Sequence, residues 1–257
     1  MNIDSGIRQS IENKLCEIEQ QENVRVIYAA ESGSRAWGFA SPDSDYDVRF
    51  IYVRRPEAYL RLESTPDVIE WQLDEVYDIN GWDIKKLLTL VHKSNQTIFE
   101  WAQSPVVYRT TPLWDKVLPV LREYFDPKGG LYHYLGMARA DIKCMDGERV
   151  RQKRYLYVMR ALLACKWICG RKTPPPILFD ELKRAYLPTD LLPVTEKLLQ
   201  EKMSAPESRE VPRIEVIHDF INRTFPEMEQ AAASMESGKN DSWESLDRIF
   251  LEAVLGE

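Results

Sequence analysis

The stretch Gly33-Ser34-Arg35-Ala36-Trp37-Gly38-Phe39-Ala40-Ser41-Pro42-Asp43-Ser44-Asp45-Tyr46-Asp47-Val48-Arg49 joins two apolar runs and carries two kinds of chemistry. Val24 to Ala30 leads into it and reads as a central strand, being short and rich in β-formers. Ser32-Gly33-Ser34 makes a small-residue corner, and Asp45 and Asp47 then open a second run, Val48 to Val53. Residues two apart in a strand face the same side, so Asp45 and Asp47 present paired carboxylates, with Arg49 next along. Two adjacent carboxylates without a cation repel, and one is driven to protonate. A divalent metal removes that conflict, and Mg2+ favours a few carboxylates plus the phosphate oxygens of a substrate. The Gly33-Ser34 corner can offer backbone N–H groups and a hydroxyl to a phosphate, and glycine lets the ligand approach the main chain. Phosphate donors and metal ligands a few residues apart are the apparatus of two-metal phosphoryl transfer.

Gly33-Ser34, then about ten residues, then Asp45-x-Asp47 resembles the signature of the DNA polymerase β nucleotidyltransferase superfamily. The fuller string, Glu31-Ser32-Gly33-Ser34-Arg35-Ala36-Trp37-Gly38-Phe39 through Asp43-Ser44-Asp45-Tyr46-Asp47-Val48-Arg49-Phe50-Ile51-Tyr52, is similar to one subfamily. That subfamily is a group of nucleotidyltransferases found beside RNA ligases and linked to RNA repair. The resemblance covers the chain to about Lys172. It implies a third carboxylate on a neighbouring strand and a helical domain that closes the nucleotide cleft.

The chain has 257 residues, 44% hydrophobic content and a net charge of -7, so a core is affordable and no global attraction to nucleic acid follows. Charge is unevenly spread. Arg139 to Lys172 holds ten basic residues against three acidic ones, while the tail from Glu196 onward is rich in Glu and Asp. The basic segment suits phosphates of a nucleotide or RNA, or is simply a solvated helix face. Cys16, Cys144, Cys165 and Cys169 show neither metal-ligand spacing nor a disulfide framework. With no signal peptide before Val24 and no apolar run near the ~20 residues of a membrane span, a cytoplasmic protein without membrane contact is expected.

Apolar spacing predicts a helix over Ser5 to Gln20, capped by Asp4 or Ser5, a helical turn over Arg35 to Phe39, and a strand over Tyr46 to Val53. Val68 to Leu73 and Val76 to Asn80 read as a hairpin around Asp74-Glu75. An amphipathic helix over Trp82 to Lys93 and a short helix or turn over Ser94 to Trp101 follow. Next come an edge strand over Pro105 to Arg109 and a helix from Pro112 to Tyr124. From Lys128 the strand signals stop. Helices are expected over Leu131 to Met145, Arg151 to Ile168 with Gly170 ending it, Leu178 to Tyr186, Leu191 to Met203, Ile214 to Thr224 and Trp243 to Leu255. The expected fold is α+β: a small mixed β-sheet domain over residues 1–126, then an all-α domain over 127–257.

Three aspartates compete for the third carboxylate. Asp74 falls in a turn, Asp83 precedes a helix and suits an N-cap, and Asp78 lies within a strand-like run. Asp78 is chosen, and the resembling subfamily carries a similar Asp-x-x-Gly-Trp-Asp string. Arg35 and Arg49 suit either salt bridges with nearby acids or contacts to phosphate. Lys153, Tyr157 and Arg160 lie at i, i+4 and i+7 on one helical stripe, with Arg139 and Lys143 a similar pair one helix earlier. They read as a triphosphate-binding wall or as a basic face snorkelling over an apolar helix. Trp37, Trp71 and Trp82 suit core positions or a base stack. His92, His133 and His218 lie far apart in sequence, and none is placed to activate Ser34 as a nucleophile.

The expected function is template-independent transfer of NMP from an NTP to an acceptor hydroxyl, with pyrophosphate released. Asp45, Asp47 and Asp78 would hold two Mg2+ ions, with Mn2+ as a substitute, and Gly33 and Ser34 the β and γ phosphates. The resemblance implies an RNA end as acceptor. A protein hydroxyl, as in adenylylating enzymes, is the enzymatic alternative. A nucleotide-binding regulator without turnover and a partner-docking protein built on Ile214, Ile217, Phe220 and Ile221 are the alternatives from other classes. Oligomeric state is left open.

Overall fold

A computed structural model describes residues 3–256. They form two compact units: one from the chain up to Ala36, Asp45–Tyr124 and Lys239 onward, the other from Trp37–Ser44 and Phe125–Gly238. The single boundary near Asp126 expected from sequence is thus replaced by several crossings. The final helix, Glu244–Leu255, packs within the sheet unit: Phe250 meets Tyr59 edge-on at 5.2 Å, and Trp243 stacks on His92 at 3.7 Å.

The sheet unit begins with a helix, Ser5–Glu22, whose first amides are capped by the Asp4 carboxylate. Asn23 ends it in the left-handed region at φ 51, which Asn tolerates better than most residues. Five strands follow: β1 (Val24–Glu31), β2 (Tyr46–Arg54), β3 (Val68–Leu73), β4 (Tyr77–Asp83) and β5 (Val107–Thr110), in the order β3-β4-β2-β1-β5. β2 and β4 run parallel and every other pairing is antiparallel. Ile11, Leu15 and Ile18 of the first helix share a core with Val26, Ala29, Val48, Phe50 and Ile79. A bulge between Val26 and Tyr28 turns Tyr28 away, where its ring stacks on Trp114 at 4.0 Å and its hydroxyl donates to the Trp101 carbonyl. The second face is covered by helices Ile84–His92, Gln96–Ala102 and Pro112–Glu123, so β1 is buried except at Arg25.

The helical unit packs Pro127–Ile142, Gln152–Arg171 and Glu215–Ser234 against one another. Ile217, Phe220 and Ile221 are buried within it, which removes them as an exposed docking face. Several expectations differ from the structure, among them the helix expected to stop at Thr224, which runs on to Ser234. A two-stranded ribbon, β6 (Arg149–Arg151) with β7 (Glu210–Pro212), interrupts the helices; three-residue strands are too short for a periodic signal. The helix over 152–171 also runs past Gly170, ending where Lys172 takes φ 54.

Gly81 pairs in register with Phe50 across the parallel strands, and a Cβ there would overlap the Phe50 ring. Gly81→Ala should therefore destabilise the protein by about 1–3 kcal/mol through overpacking, read as a lower urea midpoint. An unchanged midpoint would show that Phe50 can move aside.

Candidate active site

β2 begins with an acid-rich end because Asp45 precedes it and Asp47 follows its first residue. The parallel register sets Asp47 directly opposite Asp78, and Arg49 opposite Asn80. Val48, Phe50 and Ile79 point into the core on one face. The alternation of both strands therefore puts Asp47, Arg49, Asp78 and Asn80 on the other. Arg49 resolves the repulsion between the carboxylates. Its Nη2 lies 3.1 Å from Asp47 Oδ1 and 2.6 Å from Asp78 Oδ2, while Nη1 donates to the Asp78 carbonyl at 2.7 Å. The Asn80 amide adds a bond to Asp78 at 3.3 Å. Both carboxylates keep about a quarter of their side chains in solvent, 28% and 27%, so the pair is open to a ligand. Of the two roles left open for Arg49, the ion pair is the one seen here.

The other aspartates have different work. Asp74 accepts the Val76 and Tyr77 amides and closes its turn, and these bonds hold its carboxyl below the usual range. Asp83 caps Lys85 N–H at 2.7 Å, so the helix starts at Ile84 and Trp82 stays in β4. Asp78 is the one of the three that stands beside Asp47. Asp45 is exposed; its carbonyl accepts Arg35 Nε at 3.0 Å, and the Arg35 guanidinium lies 3.9 Å over the Tyr46 ring. Arg35 is thus engaged with the foot of β2.

Gly33 turns the chain at φ +59, and a Cβ there would collide with the Asp47 carboxylate. Glycine is required on both counts. Ser34 is buried, 6% exposed. Beneath the corner lies a group the sequence reading left without a role. Glu31 is fully buried; its Oε1 accepts the Asp47 backbone N–H at 2.9 Å, and Tyr108 donates its hydroxyl to Oε2. Ser32 N–H donates to the Asp47 carbonyl at 2.8 Å, so the end of β1 grips Asp47 from both sides of its peptide. Burial outweighs the hydrogen bonds from Tyr108 and Asp47 and pushes the Glu31 carboxyl up to about 7. The available signal was an acid ending an otherwise apolar strand, immediately before the corner.

The helical stripe Lys153, Tyr157 and Arg160 is not an open phosphate wall. Arg160 is only 2% exposed, with its guanidinium 4.2 Å from the Trp37 ring centre. Tyr157 meets Trp37 edge-on at 5.2 Å, and Lys153 pairs with Glu207 at 2.9 Å. The reason is position: the helix over 152–171 is central to its unit and buried around most of its circumference, so this stripe packs on Trp37. Arg139 pairs with Glu229 at 2.6 Å. Among the other tryptophans, Trp82 packs on Trp101 at 4.2 Å.

The donor set at Asp47 and Asp78 fits a hard divalent ion in chemistry: two ionisable carboxylates close enough to share one cation, here a guanidinium, and partly open to solvent. Asp45 is not gathered with them, and no cluster of three metal-ligating side chains occurs among the described residues.

The sheet thus carries an Asp-x-Asp segment at the start of β2, Asp78 opposite it on β4, and a glycine corner before it. The chain belongs to the RNA repair pathway DNA polymerase beta family, whose sequence model matches residues 7–252. The match runs well past Lys172, where the recognisable motifs end. The chain is also 41% identical over 251 residues to the uncharacterized protein YcgL of Bacillus subtilis (strain 168), covering 96% of each chain. No helix among the described residues is long and apolar enough to cross a membrane.

Arg49→Met should cost about 1–3 kcal/mol in denaturant unfolding, because two carboxylates lose their shared cation. Adding Asp78→Asn should recover much of that loss, since the amide no longer repels Asp47; additive losses would contradict a shared cation. Glu31 gives a pH signature. Its folded pKa lies above the ordinary value of 4.5, so its stabilisation is complete below pH 4.5 and is lost as pH rises through about 7. Glu31→Gln should therefore gain stability relative to wild type over that window, by about 3 kcal/mol in all. A pH-independent difference between the two urea midpoints would rule out the raised pKa.

Proposed function

We propose that this protein transfers a nucleoside monophosphate from an NTP to an acceptor hydroxyl, the acceptor being an RNA end. The observation that carries the reading is the register pairing of Asp47 with Asp78 beside the Gly33 corner, in a chain of this family. Asp47 and Asp78 would hold Mg2+, or Mn2+ in its place, with Asp45 as the next carboxylate along. The bound ion supplies charge neutralisation for the phosphate oxygens and lowers the pKa of the attacking hydroxyl.

The remaining work belongs to the chain's own groups. Arg49 bridges the two carboxylates before the ion arrives, then yields at least one of them. Glu31 and Ser32 fix the Asp47 peptide, so its carboxylate cannot swing with the loop before it. The Gly33 corner presents backbone N–H groups to the departing pyrophosphate. Asp78 would take the acceptor's proton. Attack by the hydroxyl oxygen forms a bond to the α-phosphorus and breaks the bond to the bridging oxygen, releasing pyrophosphate. Most of the acceleration comes from positioning and charge complementarity.

The test is incubation with each NTP labelled at the α-phosphate, Mg2+ and RNA, beside Asp47→Asn and Asp78→Asn. Label should move to RNA, and each variant should reduce the rate on the order of 100-fold or more. Label on protein instead would make a protein hydroxyl the acceptor. NTP binding without transfer would favour a nucleotide-binding regulator.

A further inference from the structure

The far end of β2 carries a second concentration of charge. Arg54, its last residue, lines a groove of about 810 Å³ with the helix Ile84–His92 and the loop over residues 61–67, all within the sheet unit. Five basic residues line it, Arg54, Arg61, Lys85, Lys86 and Lys93, against the acids Glu63, Asp67 and Asp83. Two of those acids are engaged: Asp67 pairs with Lys86 at 2.9 Å, and Asp83 accepts the Lys85 N–H and the Tyr59 hydroxyl. Arg61, Lys85 and Lys93 are exposed and make no ion pair among the described residues. The loop wall is tied down. The Pro66 carbonyl accepts Arg54 Nη2 and the Tyr52 hydroxyl, each at 3.4 Å, and the Asp67 carbonyl accepts the Asp83 N–H at 2.9 Å. Arg54 Nε is buried with no partner among the described residues.

The spacing of these charges points to an extended polyanion. Lys85, Thr89 and Lys93 lie at i, i+4 and i+8, a stripe of about 12 Å along the helix axis. Phosphates of one nucleic-acid strand follow each other every ~3.4 Å along a duplex axis, so the stripe spans several of them. With a net charge of -7, the chain as a whole repels such a ligand, and a strand is held only where positive charge is local. The one aromatic ring lining the groove, Tyr59, packs edge-on against Phe250, and its hydroxyl is shared between Asp83 and the Arg54 N–H. The groove therefore offers charge rather than a stacking platform, which suits a sugar–phosphate backbone better than bases. Along β2, Arg54 lies about 23 Å from Asp47 at the ordinary strand rise. That distance corresponds to about seven nucleotides of a stacked strand.

We propose that this groove binds the phosphate backbone of an RNA strand whose end lies at the Asp47–Asp78 pair. It would set the affinity for the acceptor and the length an acceptor needs to be held at both places. The proposal rests on the reading of an RNA end as acceptor.

The experiment uses the full chain and a fluorescein-labelled single-stranded RNA of about 20 nucleotides, titrated by fluorescence anisotropy between about 50 and 200 mM salt. Wild type is compared with Lys85→Gln/Lys93→Gln, with Arg61→Gln and with Asp47→Asn, after circular dichroism and thermal melting of each. The double variant should bind about tenfold more weakly at the low-salt end, and its plot of log K against log salt should be flatter by about 1.4, the loss of two phosphate contacts. Arg61→Gln should flatten the slope by about 0.7, and Asp47→Asn should leave it unchanged. If the double variant fails to fold, Arg61→Gln on its loop decides. RNA binding by the folded groove variants equal to that of wild type overturns the groove and leaves the acceptor reading standing. Weaker binding with an unchanged salt slope overturns it too, because a structural defect releases no counterions. Wild type that binds no RNA sinks the acceptor reading and the groove together. Wild type that binds polyglutamate in place of RNA makes the groove a docking site for an acidic protein and likewise overturns the proposal.

Discussion

One guanidinium between two carboxylates organises the sheet unit. Parallel pairing of β2 with β4 forces Asp47 and Asp78 into opposite positions, where they repel. Any chain that keeps both there must supply positive charge at the same point. Arg49 does so from two residues further along β2, on the same face, with a fork wide enough to reach both side chains and the Asp78 carbonyl. The arrangement holds a pair of acids adjacent while leaving about a quarter of each in water.

Around this pair the chain uses buried polar groups to fix backbone rather than to fill space. Glu31 lies under the Gly33 corner and ties the Asp47 amide to β1, with Tyr108 satisfying its second oxygen. In the helical unit, Lys202 and Glu207 hold the turn over residues 41–44. Arg160 fills its place in that unit by lying on Trp37, where a desolvated cation over an indole face gains about 2 kcal/mol. Each of these side chains could be replaced by an apolar residue in a protein that only had to fold. Each instead directs hydrogen bonds or charge at the segment between Glu31 and Asp47.

The elements that were legible in sequence are those with strong local signals. β1 and β2 announced themselves as apolar runs, Asp83 as a cap before an amphipathic helix, and Asp74 as a turn residue, because each of these roles is decided by neighbours within a few positions. The ribbon of β6 and β7 was not legible. Its partners are about 60 residues apart and three residues long, so its existence is purely a matter of pairing. The last helix shows the same limit: its apolar face was clear, but which unit it covers was not.

For the site, the sequence by itself determined the chemistry: a glycine that must turn at positive φ, acids alternating along a strand, and an arginine on their face. These follow from backbone sterics and strand period, which act locally. Asp78 was picked in sequence by its strand-like surroundings, but only the tertiary structure decided that it pairs in register with Asp47 and that Arg49 bridges the two. It also showed Glu31 to be a buried anchor, and Lys153 and Arg160 to be spoken for within their own unit. Those outcomes depend on strand register, burial and the electrostatic cost of isolated charge, which arise only when distant segments are brought together.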